Sequence, residues 1–190
     1  MSVPITKPTV GASNGTWGTE ANAVFDALNA ADYFAYKTAD TSRASTAALA
    51  DDNHLVTASL PVGTYVVNGL YVVSGILAGS FRSAWASAGT ATGFRAGSGP
   101  SLRTTDATGA GTAAVTVGVN RAAAAGGTNT TMTSAAQYGT DGASWSMIQE
   151  SGVVVVTVAG ALKMQWGQSS SNATATILRA GSYLWARQVA

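Results

Sequence analysis

The stretch GTYVVNGLYVVSG, Gly63 to Gly75, decides the fold class. It alternates, it is rich in Tyr and Val, and glycines close it at both ends. β-Branched and aromatic side chains suit a pleated, half-buried surface, so the stretch reads as a strand with one face toward a core. The question is whether the rest of the chain supplies partners of the same kind.

Toward the C-terminus it does. ILAGSFRSAWASAG follows as the expected partner, with Gly75 near the turn, and GTAAVTVGVN suggests a strand around Ala113 to Val119. SWSMIQESGVVVVTVAGALKMQWGQ holds two or three strands broken at Gly152 and at Ala159-Gly160, so VVVVTV and ALKMQWGQ are expected to form a hairpin. ATILRAGSYLWARQV offers short strands around Thr174 to Leu178 and Ser182 to Gln188. Short strands at this spacing, with no convincing helix between them, predict an antiparallel sandwich or jelly roll. NRAAAAGGTNTTMTSAAQYGTDG is a low-complexity polar stretch that reads as loop. No repeat of fixed period is apparent.

Toward the N-terminus the pattern changes. Residues 1–18 hold Pro4, Pro8, Gly11, Gly15 and Gly18 among Ser, Thr and Asn, which reads as an extended arm. Thr19 is an acceptable N-cap, and Ala21, Val24, Phe25, Leu28, Ala31 and Ala35 recur at helical spacing. The expectation is an amphipathic helix from about Thr19 to Lys37 that must dock on a surface, since an isolated helix of this kind is marginal in water. The domain reading is therefore an arm and helix over 1–44 and a β-domain over 45–190.

Composition narrows the function classes. The chain has 190 residues, 46% of them hydrophobic but many of those alanine, which predicts one domain with a thin core. Charged residues are only 10%, far below the usual quarter, as expected of an assembly protein whose surfaces are neutral or covered. A net charge of +1 without a basic cluster argues against nucleic-acid binding. There are no cysteines, so disulfides and thiolate metal sites are excluded. MSVPITKPTV does not read as a secretory signal, and the longest apolar run, Val153 to Val156, is too short to span a bilayer, so no membrane insertion is expected.

Catalytic signatures are lacking. His54 is the only histidine and lies beside Asp51, Asp52 and Asn53, a group that lacks the Gly and distal Glu of a calcium loop and reads as a polar segment before a strand. There is no GxSxG and no GxxxxGK[ST], and acids are too sparse to suggest a glycosidase pair. Asn129 and Asn172 match the glycosylation pattern and read as ordinary polar sequence. The expectation is no enzyme, no cofactor and no metal. Trp85, Trp145, Trp166 and Trp185 lie in or beside expected strands and are read as core or interface anchors, the alternative being a ring exposed for stacking on a sugar.

Two segments carry a family likeness. KPTVGASNGTWGTEANAVFDAL (Lys7 to Leu28) resembles the opening of many tail proteins of tailed bacteriophages, with Ala21 where a Leu is usual. LKMQWGQSSSNATATILRAGSYLWARQV (Leu162 to Val189) resembles the last strands of jelly-roll modules in phage virion proteins, with Gly167 in place of the usual Ala, and LVTASLPVGTYVVNGLYVVSG is similar to their early strands. The resemblance covers about half the chain. It implies a virion structural protein, made in the host cytoplasm and placed on the tail or capsid surface. The arm and helix would attach it to other virion proteins through Trp17, Val24, Phe25 and Leu28. The module would form a homotrimer, as the tumour-necrosis-factor and complement heads it looks like do. A tail fibre-like or receptor-binding role is expected first, a capsid decoration or head-fibre role second. In a jelly roll the variable contacts come from loops. The longest expected loops, Ala86 to Ala110 and Arg121 to Gly142, nominate Phe94, Arg95, Arg103 and Tyr138 as contacts to a host glycan or surface protein.

Overall fold

A computed structural model describes residues 32–100, 117–120, 130–140, 142 and 144–190. The expected arm and most of the expected helix, with Trp17, Val24, Phe25 and Leu28, lie outside the described residues, as does Arg103. What is described is mainly β, in two antiparallel sheets.

Among the described residues thirteen strands follow in order. They are β1 (Asp32–Tyr36), β2 (Thr41–Arg43), β3 (Ala50–Leu60), β4 (Gly63–Ser74), β5 (Phe81–Ser87), β6 (Thr90–Pro100), β7 (Val117–Asn120), β8 (Thr130–Thr131), β9 (Ala136–Tyr138), β10 (Ser146–Val158), β11 (Gly160–Gly167), β12 (Thr176–Leu178) and β13 (Tyr183–Gln188). The larger sheet runs β1-β13-β4-β10-β6-β7, with β12 and β2 joined at the end of β4 and β8 on β6; the smaller runs β3-β11-β5-β9.

The opening stretch behaves as its alternation requires. In β4, Tyr65, Val67, Tyr71 and Val73 are fully buried, while Val66, Asn68, Leu70 and Val72 point the other way. Ile148, Val154 and Val156 of β10 and Leu184 of β13 extend that inner face, opposed by Leu55, Phe81, Trp85, Leu162, Met164 and Trp166 of the smaller sheet. The core is aromatic rather than the thin alanine core composition suggested. Phe81 lies 5.7 Å from Trp166 and 6.5 Å from both Tyr71 and Tyr138, ring centre to ring centre.

Neither expected hairpin forms. β4 and β5 belong to different sheets, and so do β10 and β11; the Ala159-Gly160 step carries the chain across the sandwich. The reason is that each of these strands has an apolar face that local pairing would leave uncovered, whereas crossing puts both faces into one core. The end of the expected helix is also corrected. DYFAY is β1, paired in register with β13 from Asp32↔Arg187 to Tyr36↔Tyr183. Its three aromatics favour a strand, and Ala35 and Lys37 alternate inward against Phe34 and Tyr36 outward. Since β2 pairs β12, the sandwich takes in residues ahead of 45. Finally, Thr90–Pro100 is a strand paired with β10, not part of a loop.

Candidate functional site

The nominated contact residues separate sharply. Phe94 sits on β6 and points outward, 47% exposed. Arg95, the next residue, points inward and is buried, as is Tyr138 on β9. Both meet Glu150 of β10. Arg95 Nη1 is ion-paired to Glu150 Oε1, and Ser83 Oγ and Tyr138 Oη donate to the same oxygen, the latter at 2.8 Å. Arg95 Nη2 donates to the carbonyls of Ser83 and Ser134 at 2.6 and 2.7 Å, and its guanidinium lies 5.7 Å from the Trp85 ring. Burial, then the nearby Glu150 charge, pushes the Tyr138 phenol up, so it remains a neutral donor. Gly97 makes this possible, because a Cβ there would collide with the Tyr138 hydroxyl. Arg95 and Tyr138 therefore tie the two sheets together from inside and are closed to a macromolecular receptor.

A second buried pair closes the other flank. Lys37 Nζ, just past β1, donates to Asp52 Oδ2 at 2.7 Å and to Thr41 Oγ1 at 2.6 Å. Trp166 Nε1 donates to the same carboxylate oxygen at 3.1 Å, and the His54 and Leu55 amides donate to Asp52 Oδ1 at 3.0 and 3.1 Å. Burial raises the Asp52 carboxyl pKa, but the Lys37 hydrogen bond and the His54 amide more than offset it, so the net direction is down. Asp52 is an anchor rather than a ligand. Among the described residues no group of three or more His, Cys, Asp or Glu could hold a metal ion.

Two accessible features remain among the described residues. The first is the outer face of the larger sheet. Across β1, β13, β4, β10 and β6 the only charged side chains on that face are Asp32 and Arg187, 3.9 Å apart. The rest is neutral or apolar. Phe34 stacks on Tyr183 at 5.6 Å, and Val66, Phe94, Met147 and Val155 are exposed. Register places Val66, Val153 and Phe94 in one row across three strands, and Phe34 beside Trp185 in another.

The second is a cleft of about 210 Å³ at the end of this sheet, lined by Ser74, Ile76, Trp145, Thr174, Ile177 and Arg179 among others. Trp145 is 68% exposed, whereas Trp85 and Trp166 are fully buried, so the sequence pattern that put all of them beside strands did not distinguish core rings from the exposed one. The signal was local: Trp145 precedes its strand and follows a Gly-Ala-Ser run, outside any alternation. Arg179 stands over the ring at 5.4 Å. Nearby, Gly142 takes a left-handed φ of +82°, and its amide donates to the Gly75 carbonyl at 2.7 Å, fixing the approach to Trp145.

No protein-family model and no curated protein sequence matches this chain.

Proposed function

We propose that this chain is a structural protein of a tailed-bacteriophage virion, a homotrimeric jelly-roll module most consistent with a tail-associated, fibre-like or receptor-binding subunit. The virion assignment rests on the resemblance of the Lys7 to Leu28 and Leu162 to Val189 segments. The jelly roll is supported by nested pairing: β1 with β13, β3 with β11, β4 with β10 and β5 with β9, the order obtained by winding one long hairpin around itself. Threefold association follows the same resemblance.

The single observation that carries the assembly role is the outer face of the larger sheet. A sandwich needs one apolar face per sheet, and this sheet also exposes Val66, Phe94, Met147 and Val155 on its other face, among neutral polar residues such as Asn68 and Ser151. Exposed apolar side chains on a face with one charged pair favour an interaction site over a solvated face. A decoration or head-fibre role would use the same face, so position on the particle separates the two.

Immunogold labelling of purified particles, with antibody raised against the whole chain, tests the reading. Label confined to the tail supports the tail-associated role, label spread over the head moves the protein to capsid decoration, and particles without label overturn the virion assignment.

A further inference from the structure

We propose that the cleft beside Trp145 binds a single neutral hexopyranose unit of a surface glycan. This rests on the receptor-binding reading above and names its site and ligand class.

The indole is the first reason. A large apolar ring left 68% exposed is informative when it is held rather than loose, and Trp145 is held. The Arg179 guanidinium lies over it at 5.4 Å, within cation–π range. Arg179 is itself fixed at three points: its backbone amide donates to the Val72 carbonyl at 2.8 Å, Nε to Ser74 Oγ at 3.0 Å and Nη1 to Asp40 Oδ2 at 2.7 Å. The ring is thus backed on one side and accessible elsewhere, so it is ordered before any ligand arrives. The ring's face is electron-rich, and the axial C–H groups of a pyranose present a weakly positive apolar face that complements it.

The rim is the second reason. Ser74 Oγ accepts from Arg179, which leaves its own O–H to donate to a sugar hydroxyl, and the Thr174 side chain is exposed on the same rim. Ile76 and Ile177 supply apolar lining between these polar edges. This mixture of one aromatic wall, short apolar lining and a few hydroxyls is what orients a small polyol.

Charge and size define the class. Among the described residues Arg179 is the one charged side chain lining the cleft, and Asp40 neutralises it. A uronic or sialic acid therefore gains nothing over an uncharged hexose. At about 210 Å³ the cleft is below the roughly 300 Å³ at which drug-sized sites begin, which suits one ring rather than a chain of them.

The test is a titration of the full-length protein with a panel of methyl hexopyranosides, read by tryptophan emission and by saturation-transfer NMR. Trp85 and Trp166 are buried, Trp185 is partly exposed and Trp17 lies outside the described residues, so the emission change is assigned to Trp145 by its loss in Trp145→Phe, whose binding is followed by saturation-transfer NMR. The expected result is saturable binding of at least one epimer with a dissociation constant on the order of 1 mM. Trp145→Ala is expected to weaken it at least tenfold, Trp145→Phe to retain most of it, and the matching methyl uronide to bind no tighter. Absence of saturable binding across the panel, or equal binding by Trp145→Ala, overturns the proposal. So does a wild type that ignores every sugar while Trp145→Ala lowers its sedimenting mass, since the ring is then a contact with a second copy. Failed titration with labelled particles defeats the site alone, and sugar binding without particle labelling defeats the virion assignment alone.

Discussion

Arg95 and Glu150 show how a residue's meaning depends on which side of a strand it occupies. Both are buried, Ser83 bonds to both, and Tyr138 donates to Glu150. Removing one partner leaves an uncompensated charge, which costs about 3–5 kcal/mol, whereas replacing both by apolar groups is often neutral. Glu150→Leu is therefore expected to destabilise by that amount in urea unfolding, and Arg95→Met with Glu150→Leu to recover much of it. The sequence around Arg95 hides its strand for a physical reason. TATGFRAGSGP has glycine at 93, 97 and 99, which erases the side-chain alternation that marks a strand. At Gly97 the missing side chain is the space that Tyr138 occupies from the opposite sheet. Asp52 gives a pH prediction. Its folded pKa lies below the ordinary value, so its stabilisation is complete above about pH 4, near the unfolded value, and is lost as pH falls through the folded one. Asp40 and Asp51 shift the same way, the first through the Ala180 amide and the second through the Lys163 hydrogen bond. Melting temperature followed by near-ultraviolet circular dichroism is expected to owe no slope to these groups between pH 5 and 7 and to fall below pH 4. In Asp52→Asn the acid slope becomes shallower, and the protein is less stable at pH 7 because Lys37 loses its anion.

At the scale of elements, alternation was legible and partnership was not. The strands at 63–74, 176–178 and 183–188 stand close to where Tyr, Val and Leu patterning put them. Their pairings escaped because strand signals are local, while β4 finds β10 and β13 far along the chain. The boundary at 45 failed for a related reason. Ala31 and Ala35 continue a helical spacing, yet Tyr33, Phe34 and Tyr36 gain more by pairing with β13, where Phe34 stacks on Tyr183 and Tyr33 meets Tyr65 edge-on at 5.9 Å. The element carries the fold's flank, because Lys37 at its end neutralises Asp52. A chain begun at Asp32 is expected to unfold cooperatively near the melting temperature of the whole protein. A chain begun at Ser45 loses β1, β2 and Lys37, and its melting temperature is expected to drop by roughly 10 °C or more, given the cost of an orphaned buried charge in a domain of this size. Differential scanning calorimetry of the two fragments distinguishes this from a separate N-terminal unit ending at 44.

For the whole molecule, the decisive asymmetry is between the two faces of the larger sheet. Its inner face meets the smaller sheet across an aromatic core, and its outer face exposes Val66, Phe94, Met147 and Val155 with no second layer over them among the described residues. The 10% charge content was the one global hint of this in the sequence, since it says that some surface is covered without saying which. Register then identifies the surface, because Val66, Val153 and Phe94 align across β4, β10 and β6 with Val155 alongside. If copies of the chain meet through this face, placing like charges on it must separate them without disturbing the core, whose residues alternate to the other side. Phe94→Lys with Val155→Lys is the chosen pair, as both are exposed and lie outside the Arg95–Glu150 network. The wild type is expected to sediment as three chains of 19.0 kDa and the double variant as one, with unchanged far-ultraviolet circular dichroism. A wild type that sediments as a single chain at micromolar concentration removes self-association through this face and leaves a different virion protein as its cover. An oligomer indifferent to both lysines shifts the contact to the β1 edge, where the exposed rings of Phe34 and Tyr36 lie beside Tyr183.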